Sequence, residues 1–229
     1  MIRIIVICEG QTEETFIRDI LVPIFSNNEI YLDPRTVKTS PHHKGGGLNY
    51  DRVKHFVINT LKSDSNTQVT TFFDLYALDN HFPDFAKSQK KEDPYSKVNI
   101  LEQAFKDDIC ANDKTFLSRF FPYIQPYEFE GLLFSDIEKL VDIEPTWGNS
   151  LKNLLKIRAE VKTPEHINDG YKTKPSQRLK NELSLPQYRK TLHGPLAIEN
   201  IGIDKILSEC VHFKSWYNKM YEFNNIQIR

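Results

Sequence analysis

The first ten residues constrain the fold more than any other part of this chain. Residues 2–8, Ile-Arg-Ile-Ile-Val-Ile-Cys, are apolar except for Arg3, and the run ends abruptly at Glu9 and Gly10. A short run of this kind is typical of a strand buried on both faces, as in parallel sheets covered by helices. Ligands of open α/β sheets bind at the carboxyl ends of the strands. Glu9 is therefore a candidate metal ligand or catalytic carboxylate.

A second apolar segment ends in the same way. Residues 69–73 are β-branched and aromatic and are followed by Asp74, which predicts another buried strand with an acid at its end. Glu130 or Glu128, just past a fourth strand predicted over 119–126, could complete the acidic group. Carboxylates at one sheet edge predict a site for Mg²⁺ or Mn²⁺, which would stabilise the attacking and leaving oxygens of a phosphoryl transfer. The alternative for each acid is a helix cap or a solvated turn.

The order of strands and helices predicts an α/β fold up to residue 135. We expect a mostly parallel four-stranded sheet flanked by helices over residues 1–135, with an exposed insertion over 79–97. A helical C-terminal extension over 136–229 is expected to pack on it. Thr12 is the predicted N-cap of the first helix. A second helix is predicted to carry Val53, Phe56, Val57 and Leu61 on one face. The other helices are predicted over 12–28, 98–109, 136–141, 149–162, 176–183 and 196–219, with a weak strand over 34–40.

Composition narrows the class of protein without naming a ligand. The 229 residues include 30 basic and 31 acidic side chains, so the net charge of -1 neither supports nor excludes a nucleic-acid partner. The three cysteines are far apart and form no Cys-x-x-Cys pair, which favours a reducing cytosol over a zinc or disulfide framework. No apolar run approaches the roughly 18 to 20 residues of a membrane span. We therefore expect a soluble cytoplasmic protein with no membrane partner.

Two segments are candidates for phosphate binding. Residues 41–47 combine three glycines with Lys44, so that backbone amides and an ammonium group could approach a phosphate. Residues 168–178 concentrate cations and small polar donors near a predicted helix start. A plain surface loop and an ordinary helix entry are the respective alternatives. The candidates in the second segment are Lys174, Ser176 and Arg178.

Four motifs, in this order, resemble a family of bacterial TOPRIM-like proteins known mainly as a domain of unknown function. The family is similar to the small TOPRIM subunits encoded beside ABC-type ATPases in antiphage and abortive-infection systems. It is more distantly similar to the nuclease domain of the overcoming-lysogenisation-defect proteins. The motifs are Glu9-Gly10-Gln11-Thr12-Glu13, Asp74-Leu75-Tyr76, Glu128-Phe129-Glu130-Gly131-Leu132-Leu133-Phe134, and Ile167-Asn168-Asp169-Gly170 followed by Pro175-Ser176-Gln177-Arg178-Leu179.

The resemblance implies a TOPRIM sheet whose first-strand glutamate is an acid/base or a metal ligand and whose Asp-x-Asp pair holds the metal. Glu9 matches the glutamate and Asp74 matches the first aspartate, but Tyr76 stands where the second aspartate belongs. A phenol cannot replace a carboxylate as a ligand of a hard cation at neutral pH. Either Glu130 supplies the missing charge, or the metal is held weakly, or catalysis has been lost.

The resemblance further implies a metal-dependent nuclease subunit that cleaves phosphodiester bonds in DNA or RNA. Its expected role is in an antiphage defence system with an ABC-type ATPase partner. The alternative is a catalytically degenerate subunit that binds nucleic acid or a partner within an ATPase complex. The sequence leaves open whether the protein forms a homo-oligomer. Further candidate residues without an assigned role are Glu13, Tyr76, Glu128, Asn168 and Asp169.

Overall fold

The α/β class predicted from the sequence is confirmed: a parallel sheet is flanked by helices and followed by a helical region. The structure is a computed structural model. The predicted loop over 41–47 and the end of the strand predicted over 34–40 lie outside the residues it describes. The described residues are 2–37, 48–168, 170 and 172–226.

The first strand and helix form as expected, with a different cap. β1 (Ile2–Cys8) is buried at every position except Arg3. α1 (Gln11–Phe16) starts directly after it, and its N-cap is Gly10 in an extended conformation. The prediction of Thr12 as the cap is wrong, because that residue lies within the first helical turn and is buried.

The helix predicted over 12–28 is one continuous path of three helical pieces. α1 passes into a π-helical turn, Ile17–Leu21, and then into α2 (Val22–Ser26). Pro23 stands at the start of α2. Because proline has no N–H, it cannot make the regular helical hydrogen bond, and a wider turn preceding it accommodates that loss.

All strand pairings in the sheet are parallel. β1 lies between β2 and β3, and the last two strands both pair with β3. β2 begins earlier than the predicted strand because Ile30 and Leu32 are buried against the sheet core. Beyond β1 the strands are β2 (Ile30–Thr36), β3 (Gln68–Asp74), β4 (Phe120–Phe121) and β5 (Ile124–Gln125).

The fourth strand predicted over 119–126 is split in two. β4 pairs with the start of β3 and β5 with its end. Pro122 lies between them and has no N–H to offer the ladder. The hydroxyl of Thr71 bridges the gap, since it accepts from the Tyr123 N–H at 2.9 Å and donates to the Tyr123 carbonyl at 2.8 Å.

Two helices of this region start at side-chain caps. Asn49 accepts the backbone N–H of Arg52, and Asp93 accepts that of Ser96. These caps precede α3 (Tyr50–Ser63) and α5 (Pro94–Ile109), with the short α4 (Phe85–Ser88) between them.

The segment 79–97 is expected to be an exposed excursion. Most of residues 80–93 are exposed, but Phe82 is only 2% exposed. Its ring packs edge-on against Tyr50 and Phe105, with centroids 4.9 and 5.6 Å away. Because the residues around Phe82 are mostly polar, the sequence pattern does not reveal this contact with the core.

The region after the sheet is helical, as predicted, but the helix expected over 196–219 is three helices. Gly202 interrupts it at φ 83°, a conformation that L side chains rarely adopt. A second break falls at Cys210. The helices are α6 (Ile137–Val141), α7 (Leu151–Ala159), α8 (Pro175–Glu182), α9 (Lys190–Ile201), α10 (Ile203–Glu209) and α11 (Val211–Ile226), with 3₁₀ turns at Phe129–Ser135, Trp147–Ser150 and Pro164–His166.

The chain divides into two compact units. The first, Met1–Gln125 with Asn218–Arg229, contains the sheet; the second is Pro126–Tyr217. The expected boundary at residue 135 and the packing of the extension stay predictions. Among the described helices, none combines the length and the apolar character that a bilayer crossing requires.

Candidate functional site

Glu9 and Asp74 lie side by side at the carboxyl edge of the sheet. Cys8, the last residue of β1, pairs in register with Phe72, so β3 continues for two residues past the end of β1. The backbone N–H of Asp74 donates to Glu9 Oε2 at 3.4 Å. Asp74 is 4% exposed and Glu9 is half-buried. Two acids 65 residues apart in sequence are thereby brought to one edge of the first unit.

Glu13, in the first turn of α1, is a further acid close to the end of β1. Its Oε2 lies 3.4 Å from the position that a Cβ at Gly10 would occupy, and its side chain is 2% exposed. Burial, and then the negative charges of Glu13 and Glu14, raise the pKa of the Cys8 thiol. Negative potential therefore accumulates at this strand end, and Cys8 stays a neutral thiol with no nucleophilic role.

Position 76 does not supply a second acid. Tyr76 lies in a 3₁₀ turn after β3, Leu75–Ala77, and is 42% exposed. The sequence analysis missed Gln125, which pairs in register with Asp74 at the end of β5 and is fully buried. Tyr123 Oη donates to Gln125 Oε1 at 2.5 Å. Gln125 could have been found in the sequence from its position at the end of the predicted fourth strand, but it is uncharged and was therefore not a candidate.

The donors at this edge fit a hard divalent cation as part of its ligand set. Mg²⁺ commonly uses one or two protein carboxylates and completes its shell with water and substrate oxygens. Glu9 and Asp74 can supply those two carboxylates. Within the described residues, no three His, Cys, Asp or Glu side chains are close enough together to form a full protein ligand set.

In the second unit, Glu128 accepts hydrogen bonds from two of the residues that were predicted to contact a phosphate. Lys174 Nζ donates to Glu128 Oε1 at 2.7 Å, and the Ser176 backbone N–H donates to Oε2 at 2.9 Å. Ser176 lies in the first turn of α8, so the carboxylate also meets the positive end of a helix. The ammonium and amide groups predicted to hold a phosphate hold a carboxylate of the protein itself.

The other predicted residues of this segment form local turns. Arg178 Nε donates to the Thr173 carbonyl at 2.6 Å, and Asn168 Oδ1 accepts the Gly170 N–H at 3.1 Å. Lys44 and Asp169 lie outside the described residues. The phosphate-binding role assigned to this segment stays a prediction.

Glu130 is fully buried in the second unit, in the 3₁₀ turn after Glu128. Lys190 Nζ lies 3.4 Å from Glu130 Oε2 and 5.9 Å from the centroid of the Phe129 ring. Lys190 is 60 residues further along the chain, and no local pattern marks it. Because Glu9 and Asp74 belong to the first unit, the expectation that Glu130 completes their site stays a prediction.

Comparison with known proteins places the chain in a family. No curated protein and no solved structure matches it significantly. A family described as Domain of unknown function (DUF4276) matches residues 8–221, which includes Glu9, Asp74, Glu130 and the segment around Ser176. The match covers most of the chain, and this protein therefore belongs to the DUF4276 family.

Proposed function

We propose that this protein is a TOPRIM-like, metal-dependent nuclease subunit that cleaves phosphodiester bonds in DNA or RNA. The observation that carries the proposal is the contact between Glu9 and Asp74 at the ends of two neighbouring parallel strands. Acids at this edge are placed where ligands of α/β sheets bind. Their chemistry suits Mg²⁺ or Mn²⁺ rather than a softer metal.

Each acid has a distinct part in the proposed reaction. Asp74 is buried at the end of β3, so it offers a fixed carboxylate to the cation. Glu9 is half-buried and offers a second ligand or a general base towards an attacking water. A bound divalent ion supplies charge stabilisation of the attacking and leaving oxygens.

The test is cleavage of plasmid DNA, single-stranded DNA and total tRNA by the purified protein with Mn²⁺. Glu9→Gln and Asp74→Asn remove one charge each while keeping side-chain size. Asp19→Asn is the matched control, because Asp19 is exposed on the π-helical turn and pairs with Arg18. If an ABC-type ATPase, the proposed partner in antiphage defence, is encoded next to this protein, the reactions are run with and without it.

Cleavage by the wild type and the control, lost in both site variants with folding intact, supports the proposal. Wild-type rates in both site variants would refute it. The substrate that is cleaved separates DNA from RNA in the same experiment.

A catalytically degenerate subunit of an ATPase complex is the second candidate, and Tyr76 favours it. An exposed phenol stands where the family resemblance implies a metal-binding aspartate. Calorimetric titration with Mg²⁺ and Mn²⁺, on the free protein and on its ATPase complex, separates the two. Absence of binding in both forms would select the degenerate subunit.

A further inference from the structure

A polar cavity of about 320 Å³ lies in the first unit, apart from Glu9 and Asp74. One wall is α5, with Asn99, Gln103 and Lys106, and another is the broken edge strand at Phe121. The last turns of α11 contribute Lys219. Its volume is at the lower end of the roughly 300–1,000 Å³ found for small-ligand sites.

Two ammonium groups from different helices face this cavity. Lys106 is half-buried on α5, while Lys219 Nζ lies 5.8 Å from the centroid of the Phe121 ring. Within the described part of the chain, neither lysine forms an ion pair with a carboxylate. Burial, and then the positive charge of Lys219, lower the pKa of Lys106. The cavity therefore places two like charges together at a cost that an anion would relieve.

The nearby acids are bonded to other groups. Glu102, which also lines the cavity, accepts the backbone N–H of Ile124 at 2.7 Å. Asp107 accepts the side-chain amide of Gln103 at 2.8 Å. Asp107 and the Cys110 thiol act on Lys106 in the opposite direction to Lys219, and less strongly than burial does.

We propose that this cavity binds a phosphate group. Lysine ammonium groups bind phosphate as point charges, and neutral donors are added by the side-chain amide of Asn99 and by the N–H of Gln103 that is not donated to Asp107. The phosphate belongs either to a nucleic-acid backbone or to a free nucleotide. Neither source depends on the metal site, so the proposal goes beyond the nuclease reaction.

The experiment measures binding in EDTA, which separates this site from any metal chemistry. Calorimetry with pyrophosphate and with adenosine monophosphate probes free ligands, and anisotropy with a labelled single-stranded oligonucleotide probes a backbone. The variants are Lys106→Gln and Lys219→Gln. Lys62→Gln is the control, because Lys62 is an exposed lysine of the same unit that does not line the cavity. Unfolding curves establish that each variant is folded, and Lys219, being exposed, tolerates substitution.

Each cavity variant is expected to weaken binding about tenfold, the effect of losing one charge-assisted hydrogen bond, while Lys62→Gln stays within about twofold. Saturating ligand should also raise the pKa of Lys106 in an NMR titration, which a purely structural lysine would not show. Loss with pyrophosphate or the nucleotide identifies a free ligand; loss with the oligonucleotide alone identifies a backbone. Wild-type protein that binds no probe, or cavity variants that bind as tightly as wild type, would overturn the proposal.

Discussion

The two units differ in the hydrogen-bond donors that surround their acidic side chains. In the first unit, Glu9 and Asp74 lie together at the ends of parallel strands, and Glu9 accepts a long hydrogen bond of 3.4 Å from the backbone N–H of Asp74. In the second unit, both oxygens of Glu128 accept short bonds, from Lys174 and from the start of α8. Glu165 likewise accepts two backbone N–H groups of α11.

The difference separates carboxylates that hold the fold together from those that the proposed reaction would use. A carboxylate whose donors are helix N–H groups or an ammonium stabilises the folded state. Acids gathered at one sheet edge repel one another, so we expect them to contribute little to the stability of the fold. Substitutions in the two units should therefore change different observables.

The largest expected effect is on activity in the first unit. Asp74→Asn should lower metal-dependent cleavage by at least about 100-fold, within the range of lost acid–base or ligand function. Its free energy of unfolding should stay within about 1 kcal/mol of wild type or rise, because a buried charge is removed. Rates are measured with Mn²⁺ and stability by urea titration. A large loss of stability would place Asp74 with the structural acids.

Glu128→Gln should show the reverse pattern in the second unit. We expect a loss of about 2–3 kcal/mol, below the range for fully buried pairs because the Lys174 side chain is 25% exposed. The exposed Glu138→Gln is the matched control and should change stability little. Urea unfolding of both variants measures the difference, and equal stability of the two would contradict the structural role of Glu128.

Glu165→Gln should cost somewhat less, about 1.5 kcal/mol. The amide keeps one acceptor oxygen for the start of α11 but loses the charge and the second acceptor. Exposed Glu160 provides the control substitution to glutamine. If the control variant loses as much stability in the same urea titration, the structural role of Glu165 is contradicted.

Mg²⁺ should stabilise the wild type through the first unit alone. A cation at ten times its Kd adds about 1.4 kcal/mol to the free energy of unfolding, by linkage. Glu9→Gln should lose this gain, whereas Glu128→Gln should keep it despite its lower starting stability. Thermal unfolding with and without Mg²⁺ provides the measurement, and an equal gain in all three proteins would place the cation elsewhere.

The smallest expected effect is a pH dependence from His193. Burial, reinforced by Arg189 and opposed by Glu144, lowers the pKa of its imidazole. The unfolded chain then binds the proton more readily, so stability is full above about pH 6.5 and declines as the pH falls through that value. His193→Gln should flatten the change in urea midpoint between about pH 7.5 and 5.5. An unchanged slope would exclude His193 as its source.

Strong local patterns predicted the sheet well. β1 is apolar except for Arg3, and β3 is β-branched or aromatic from Val69 to Phe73; Glu9 follows the first strand directly and Asp74 is the last residue of the second. The split of the fourth strand was not predicted, because the hydroxyl of Thr71 replaces ladder bonds from another strand. The helix break at Gly202 was not predicted either. It depends on the positive φ of this residue, which the hydropathy pattern does not reveal.

The candidate site was predictable only where neighbours follow from strand order. The meeting of Glu9 and Asp74 follows from parallel pairing of β1 with β3. The pairing of Glu128 with Lys174 does not, because neither residue lies on a strand whose pairing would bring the two together. Lys190 beside Glu130 has no sequence signal at all.

Prolines at the sheet margins bear on self-association. In the described part of the chain, β2 forms one border of the sheet and the β4–β5 pair forms the other. β2 contains Pro34, flanked by the charged Asp33 and Arg35, and Pro122 interrupts the opposite border. Each border thus offers an incoming strand of another molecule a reduced row of N–H donors. The two prolines therefore disfavour strand addition at both borders of a sheet whose central strands, β1 and β3, are almost wholly buried.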